Sequence, residues 1–282
     1  MRYFPEDRIR RDLCTACGTC SEVCPAGAVS LSADGVPGTF GASCIGCGHC
    51  GAYCPSNCFA LDPQPSVLPD GDSVRDLLAS RRSCRFFLPD PLSGAEIDRL
   101  LSAVGYSPSG TNAGGLVIRV VNGREEVGRL LDAARGFVRT ACRTGIPQLI
   151  TKMAGMGGAL RRFRSGEDLL FREAPAVLFF HVPRGNVTWR TDGVIAAANV
   201  VAMASAIGVS TLWNGFAGLF YPLVRAWHHP SARGTRLAAV LCAGRASKRP
   251  LREVPAREFT ALVSQAPASW APGESRMEVG TP

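Results

Sequence analysis

Most of the short signals that mark a cofactor or a nucleophile are missing from this 282-residue sequence. No G-x-G-x-x-G follows a strand-like run, so a Rossmann nicotinamide site has no support. There is no P-loop, no H-E-x-x-H and no G-x-S-x-G, which removes the common NTPase, zinc-protease and serine-hydrolase readings. Aromatic residues make up only 7% and are not interleaved with basic ones, which argues against nucleic acid as a partner. The opening MRYFPEDRIRRDLC has no apolar core of a secretory signal. The most apolar helical stretch, 193–209, is short for a membrane span and carries Asn199 and Ser205, so it reads as a buried helix. The expectation is a soluble cytoplasmic protein with no membrane partner. At 46% hydrophobic and 19% charged, the chain can bury a core and is not wholly disordered.

Cysteine, by contrast, is abundant and clustered. Of twelve, eight lie between Cys14 and Cys54, leaving Cys58, Cys84, Cys142 and Cys242 beyond. That distribution is unlike a disulfide-stapled secreted scaffold. The eight repeat at a period of 30: Cys14, Cys17, Cys20, Cys24 and Pro25 recur as Cys44, Cys47, Cys50, Cys54 and Pro55. Each half reads C-x2-C-x2-C-x3-C-P, the bacterial ferredoxin run, and two copies imply two [4Fe–4S] clusters. Three thiolates spaced by two residues can wrap one cubane from a single loop. The fourth, expected to begin a short helix that points away, ligates the other cluster. One cluster is then held by Cys14, Cys17, Cys20 and Cys54, the second by Cys44, Cys47, Cys50 and Cys24. Zinc knuckles and disulfides are the alternatives, but four cysteines in a row before proline, twice, make a poor zinc pattern. Cys58 reads as a small buried residue and His49 as a surface residue near a cluster.

The net charge is +8. Residues 1–66 hold four basic and six acidic side chains, so the positive charge belongs to 67–282. The stretch DPQPSVLPDGDS (62–73) reads as a linker, with Asp72 or Ser73 capping a helix from Val74. These features predict two domains, 1–66 and 67–282. In the second, helices are expected at 74–80, 94–105, 124–134, 192–207 and 222–228. Strands are expected at 117–121, 176–182 and 237–243, whose branched apolar runs suit a sheet covered on both faces. Residues 135–172 read as a Gly- and Arg-rich helical insertion, and the chain from about Ala266 as an extended tail. From Arg119 to Arg172 eleven basic residues face five acidic ones. This excess suits an acidic substrate, docking of an acidic electron donor, or a solvated surface.

Three separated stretches combine small and basic residues. Arg81-Arg82-Ser83-Cys84-Arg85 offers guanidiniums and a hydroxyl to a phosphate. Ser107-Pro108-Ser109-Gly110-Thr111-Asn112 is a polar turn suited to a heterocycle, and Lys248-Arg249 supplies a second basic clamp. Taken singly, each is a weak signal. Taken together, RRSCRFF…SPSGTN…TDGVIAAANVVAMASAIGVSTLWNGF…KRPLREV resembles the nitroreductase family of FMN enzymes, in its ferredoxin-fused branch.

The resemblance implies an α+β fold and a homodimer with FMN at its interface. Arg81, Arg82, Ser83 and Arg85, with Lys248 and Arg249, would form the phosphate and ribityl site. Pro108 and Ser109 would lie against the isoalloxazine, Asn112 would bond the ribityl or pyrimidine edge, and Asn214 and Gly215 would sit near the flavin N5. Helix 192–207 would be the dimer helix. Two departures stand out: Ala113-Gly114-Gly115-Leu116 replaces a common Gln-Pro-Trp, and Asn214 stands where an acidic residue is often found. The implied function is FMN-dependent oxidoreduction. The clusters relay single electrons from an external donor such as ferredoxin, and FMN reduces a small acceptor, for which the basic surplus suits an anion: a nitroaromatic, activated alkene or quinone. The opposite direction, a flavin dehydrogenase feeding the clusters, and a non-catalytic electron carrier are the alternatives. Tyr106, His181, His228 and His229 are candidate proton donors, each more readily structural, and Arg119 is a candidate cation for reduced flavin.

Overall fold

The computed structural model describes residues 9–62, 67–145, 157–248, 250–252 and 254–255. Arg249 and the tail from Ala266 therefore lie outside the described residues, as does 146–156 within the basic insertion.

The cysteine-rich region is built on a two-stranded antiparallel ribbon, β1 (Val29–Leu31) and β2 (Pro37–Phe40). Two one-turn helices accompany it, α1 (Thr19–Glu22) and α2 (His49–Ala52). Each follows a glycine in the left-handed region, Gly18 at φ 75° and Gly48 at φ 78°, a conformation that favours glycine. The helix carries the third cysteine of each run and ends before the fourth. Cys24 and Cys54 therefore follow a helix instead of beginning one, contrary to the expectation from sequence. Ile9, Val29, Phe40, Cys58 and Phe59 form a small core of their own.

The larger region centres on an antiparallel sheet in the order β3 (Val117–Asn122), β4 (Ala176–Pro183), β6 (Thr235–Gly244) and β5 (Ser210–Trp213). Alternate residues of β4 serve opposite faces, as the two-residue strand period requires. Val177 and Phe179 join a core with Trp227, Phe171 and Leu130, while Ala176, Leu178 and Phe180 join one with Leu100, Ala197 and Val200. Both faces are covered, as the apolar runs predicted. The short strand β5 was not foreseen, because STLW is too brief to stand out.

Among the described residues six helices surround this sheet or precede it: α3 (Gly71–Ser80), α4 (Gly94–Ser102), α5 (Arg124–Ala141), α6 (Gly157–Arg164), α7 (Trp189–Ala206) and α8 (Gly215–Phe220). The cap of α3 is Asp70, which accepts from the Ser73 amide at 2.8 Å, so the helix begins before either cap expected from sequence. The predicted helix at 222–228 is only a 3-10 turn, Arg225–Trp227. Helix α5 runs seven residues past its predicted end. Val138 on its last turns and Phe163 on α6 enter the core, so the described part of the basic insertion is anchored there and not a detached flap. Gly193 lets α7 approach the sheet: a Cβ there would lie 2.3 Å from the Ala238 Cβ and 2.9 Å from Val182.

Candidate functional site

Segment 81–88 is threaded between two edges of chain. Ser83 pairs with Thr211, the Cys84 amide donates to the Thr211 carbonyl at 2.9 Å, and Phe87 pairs with Ala246. The Leu88 amide bonds the Arg245 carbonyl and the Ser247 amide bonds the Phe86 carbonyl. This stitching brings residues 81–84 to the segment that follows β6. A cavity of about 660 Å³ opens there, lined by Arg75, Arg81, Arg82, Thr211, Lys248 and Arg252, among others. Its size is that of a small-molecule site. Arg75 is bonded to Asp76 at 2.8 Å, and the Lys248 ammonium rests over the Phe86 ring, 4.8 Å from its centroid.

The structure thus unites Arg81, Arg82 and Lys248, three of the predicted site residues. Ser83 backs the same wall through its pairing with Thr211. Arg85 is not brought in: it is exposed, and its guanidinium turns back to the Ser83 carbonyl. Arg75 and Arg252 were missed. Arg75 lies six positions before Arg81 on the preceding helix and Arg252 four after Lys248, and only the closed cavity makes those spacings meaningful.

Pro108, Ser109 and Asn112 do not line this cavity. Their turn is strained, with Thr111 at φ 51° and Asn112 at φ 53°, a region that L-residues seldom occupy in succession. A polar network holds it. The Gly110 amide donates to both oxygens of the buried Asp192 at 3.3 and 3.2 Å, and Asn186 donates to the same carboxylate at 2.7 Å. A Cβ on Gly110 would lie 2.2 Å from the Thr188 hydroxyl oxygen, so the turn needs glycine there. The Asn112 amide nitrogen donates to the carbonyls of Ile45 and Gly46 at 3.1 and 3.0 Å. Both acceptors lie inside the second cysteine loop, so this amide nitrogen joins the turn to the cysteine-rich region.

Asn214 is also committed elsewhere. It is buried, caps α8 by accepting from the Ala217 amide at 2.9 Å, and donates to the Leu170 carbonyl and the Cys242 sulfur. Its side chain has no reach left for a ligand, whereas Gly215 at the start of α8 is exposed. Ser210 and Thr211, at the cavity, lead along β5 to Gly215, roughly 13 Å on at strand rise.

Cys14, Cys17, Cys20 and Cys54 line one cavity, joined by Cys58. Among the described residues no three His, Cys, Asp or Glu side chains converge on a point as a single metal ion requires. Four cysteines of the ferredoxin spacing at one cavity are the donor type of an iron–sulfur cluster. Cys58 is 2% exposed and 3.0 Å from the Cys54 sulfur, and burial pushes its thiol up to about 11. Burial also pushes Cys50 up to about 11, with Cys47, Cys20 and Cys44 adding to the effect, so the second run gathers in the same neighbourhood. His49 stacks on Tyr53 at 6.0 Å.

The candidate proton donors separate by environment. Tyr106 is exposed, and His229 caps the turn Pro230–Ala232. His228 meets the Tyr221 carbonyl at 2.9 Å. His181 is fully buried, and burial, Arg119 and His228 push it down to about 4, so it is neutral near pH 7. Arg119 donates to the Trp227 carbonyl at 2.5 Å, away from the cavity.

Fold and site together define an α+β oxidoreductase joined to an iron–sulfur ferredoxin region. The chain belongs to the nitroreductase family, whose model, described as "Nitroreductase family", matches residues 78–245. A second model, "4Fe-4S dicluster domain", matches residues 13–59. Among solved structures, a nitroreductase with bound FMN from Bacteroides fragilis is 19% identical, with a TM-score of 0.55, covering 68% of this chain and 98% of its own. A nitroreductase with bound FMN from Desulfitobacterium hafniense is 20% identical, with a TM-score of 0.50, covering 65% of this chain and 94% of its own. At these identities the likeness concerns the fold. No curated protein matches the chain. No described helix is long and apolar enough to cross a membrane.

Proposed function

We propose that the chain is an FMN-dependent oxidoreductase in which two [4Fe–4S] clusters relay single electrons between an external donor such as ferredoxin and FMN, which reduces a small organic acceptor. The observation that carries this reading is the cavity ringed by Arg75, Arg81, Arg82, Lys248 and Arg252. Among the described lining residues, five cations against one carboxylate, itself paired to Arg75, fit a phosphate-bearing cofactor. Arg81, Arg82 and Lys248 would hold the phosphate, with Thr211 beside them. The exposed Gly215 start of α8 presents backbone amide near the far end of β5. FMN, when bound, supplies hydride or single-electron transfer at its N5, and the clusters supply single electrons; the protein supplies position and charge. The paired lesion Arg81→Ala with Lys248→Ala should strip FMN from the purified protein. Full FMN release on acid precipitation of that variant would refute the assignment.

The ligand sets proposed are Cys14, Cys17, Cys20 and Cys54 for one cluster, and Cys44, Cys47, Cys50 and Cys24 for the other. The division into a ferredoxin domain and a flavin domain falls near residue 66. The homodimer belongs to the same proposal. Helix α7 leaves Val194, Ala198 and Ala206 exposed in one chain, and Trp213, Phe216 and Leu219 near Gly215 are 43%, 52% and 69% exposed. Exposed apolar side chains of this kind support an interface there. The cavity lacks the 107–112 turn of its own chain, which a second copy can provide. Anaerobic mixing with reduced ferredoxin, NADH and NADPH separately tests the donor: fast flavin bleaching by ferredoxin alone supports the relay. Fast bleaching by NAD(P)H in a protein without cluster cysteines overturns it.

A further inference from the structure

Resting on the FMN-bound homodimer just proposed, we infer that the wiring is crossed: the cysteine-rich region of one chain serves the FMN held by the cations of the other. Asn112 is the positioning residue that fixes this pairing.

Two facts carry the inference. The first is the attachment of the strained turn to the cysteine loop of its own chain. Asn112 donates both of its bonds to Ile45 and Gly46, which lie between Cys44 and Cys47. Only the amide nitrogen can donate to two carbonyls, so this geometry fixes its orientation. Two adjacent non-glycine residues in the left-handed region are costly, and the Asp192 network that holds them shows where the cost is met. The loop that carries Cys44 and Cys47 is therefore seated on the turn, not tethered at random.

The second fact is the distance between that turn and the cavity within one chain. Both lie against α7. The turn begins at mid-helix, where Asn199 donates to the Ser107 hydroxyl at 2.9 Å, and its tip points to the helix start, where Gly110 bonds Asp192. Ser205 lines the cavity near the other end, about 20 Å beyond Asp192 at the helical rise, so the tip from Gly110 to Asn112 is directed away from its own chain's cavity. A twofold axis through the exposed Val194–Ala198–Ala206 stripe sets two copies of α7 antiparallel, so the start of one meets the end of the other. Each cavity then receives the partner's turn, and with it the partner's second cysteine loop. With cluster and FMN bound, two one-electron donors would be oxidised, their electrons would pass singly by way of that loop, and solvent would supply the protons of one two-electron flavin reduction.

Mixed dimers of differently tagged full-length chains decide the matter. In the first, one chain carries Cys44→Ala and Cys47→Ala, and the other carries Arg81→Ala and Lys248→Ala. In the second, all four substitutions sit in one chain and the partner is unchanged. Each mixed dimer keeps one FMN, and reduced ferredoxin is mixed in while flavin absorbance is followed. Crossed wiring predicts fast bleaching in the first and bleaching slower by about tenfold or more in the second. The reverse order overturns the inference while leaving the dimer intact. Elution of the wild-type chain as a monomer overturns the dimer, and the inference with it. Because the cysteine variants can lose their local fold, a second measurement uses Asn112→Ala in both chains. Hydrogen exchange at the Cys44 amide, which is bonded to the Gly41 carbonyl beside the two freed carbonyls, should rise about tenfold as the loop loosens. Exchange equal to wild type there also overturns the positioning role.

Discussion

The two regions of this molecule build their sites by different means. In the cysteine-rich region the ligands come in runs of eleven residues, and the fold is little more than loops, two one-turn helices and a ribbon that present them. In the larger region no run suffices. Arg81 and Lys248 stand far apart in sequence and meet only because the 81–88 segment is stitched between Thr211 and Ser247. The first site is covalent and local, the second electrostatic and tertiary. It follows that the first should be lost with a single ligand, while the second should weaken by degrees.

Several changes break or sharpen that contrast. Cys47→Ala should remove the cluster proposed for Cys44, Cys47, Cys50 and Cys24, lowering bound iron and sulfide by about half and loosening the 9–62 region, while the separate cores of the sheet keep the rest folded. Calorimetry showing loss of both transitions would erase the distinction. Gly193→Val, which drives a side chain into Ala238 and Val182, should cost about 3 kcal/mol in urea unfolding of the sheet region. It should leave iron content unchanged. Arg81→Ala alone should weaken FMN binding by about 2 kcal/mol, seen as a raised Kd on titrating the apoprotein, with the melting transition of the apoprotein unmoved.

His181 gives the sheet region a pH dependence of its own. Its folded value of about 4 lies below the ordinary 6.5, so acidification protonates the unfolded chain first. Stability is unaffected above pH 6.5 and falls as pH drops from there toward 4, by about 2 kcal/mol at pH 5. His181→Phe should flatten that dependence when urea midpoints at pH 7 and pH 5 are compared. Least of all, Arg129→Ala, which removes exposed pairs with Glu125 and Glu126, should change stability by less than about 0.5 kcal/mol.

Much of the architecture was legible. Strands β3, β4 and β6 match the apolar branched runs at 117–121, 176–182 and 237–243, and α4, α5 and α7 match the helices expected at 94–105, 124–134 and 192–207. What escaped was short or context-bound: β5, whose four residues carry too little pattern, and the 222–228 segment, whose apolar spacing resembles a helix but serves Val224 and Trp227 as core anchors. Arg75, Asp192 and Arg252 escaped because a lone arginine or aspartate has no spacing to betray it. The role of the Asn214 side chain as a helix cap escaped as well, because a cap acts on an amide that only folding brings within reach.

The cysteine spacing alone determined that this protein carries iron–sulfur chemistry at one end, because metal ligation requires several donors within a short reach and the chain supplies them consecutively. Charge and composition placed the cationic surplus in the other part. Only the tertiary structure decided which cations face one cavity, that Asn112 belongs to a cysteine loop and that Asn214 belongs to the core. Hydrogen bonds and burial act between residues brought together by folding, and sequence separation does not encode them.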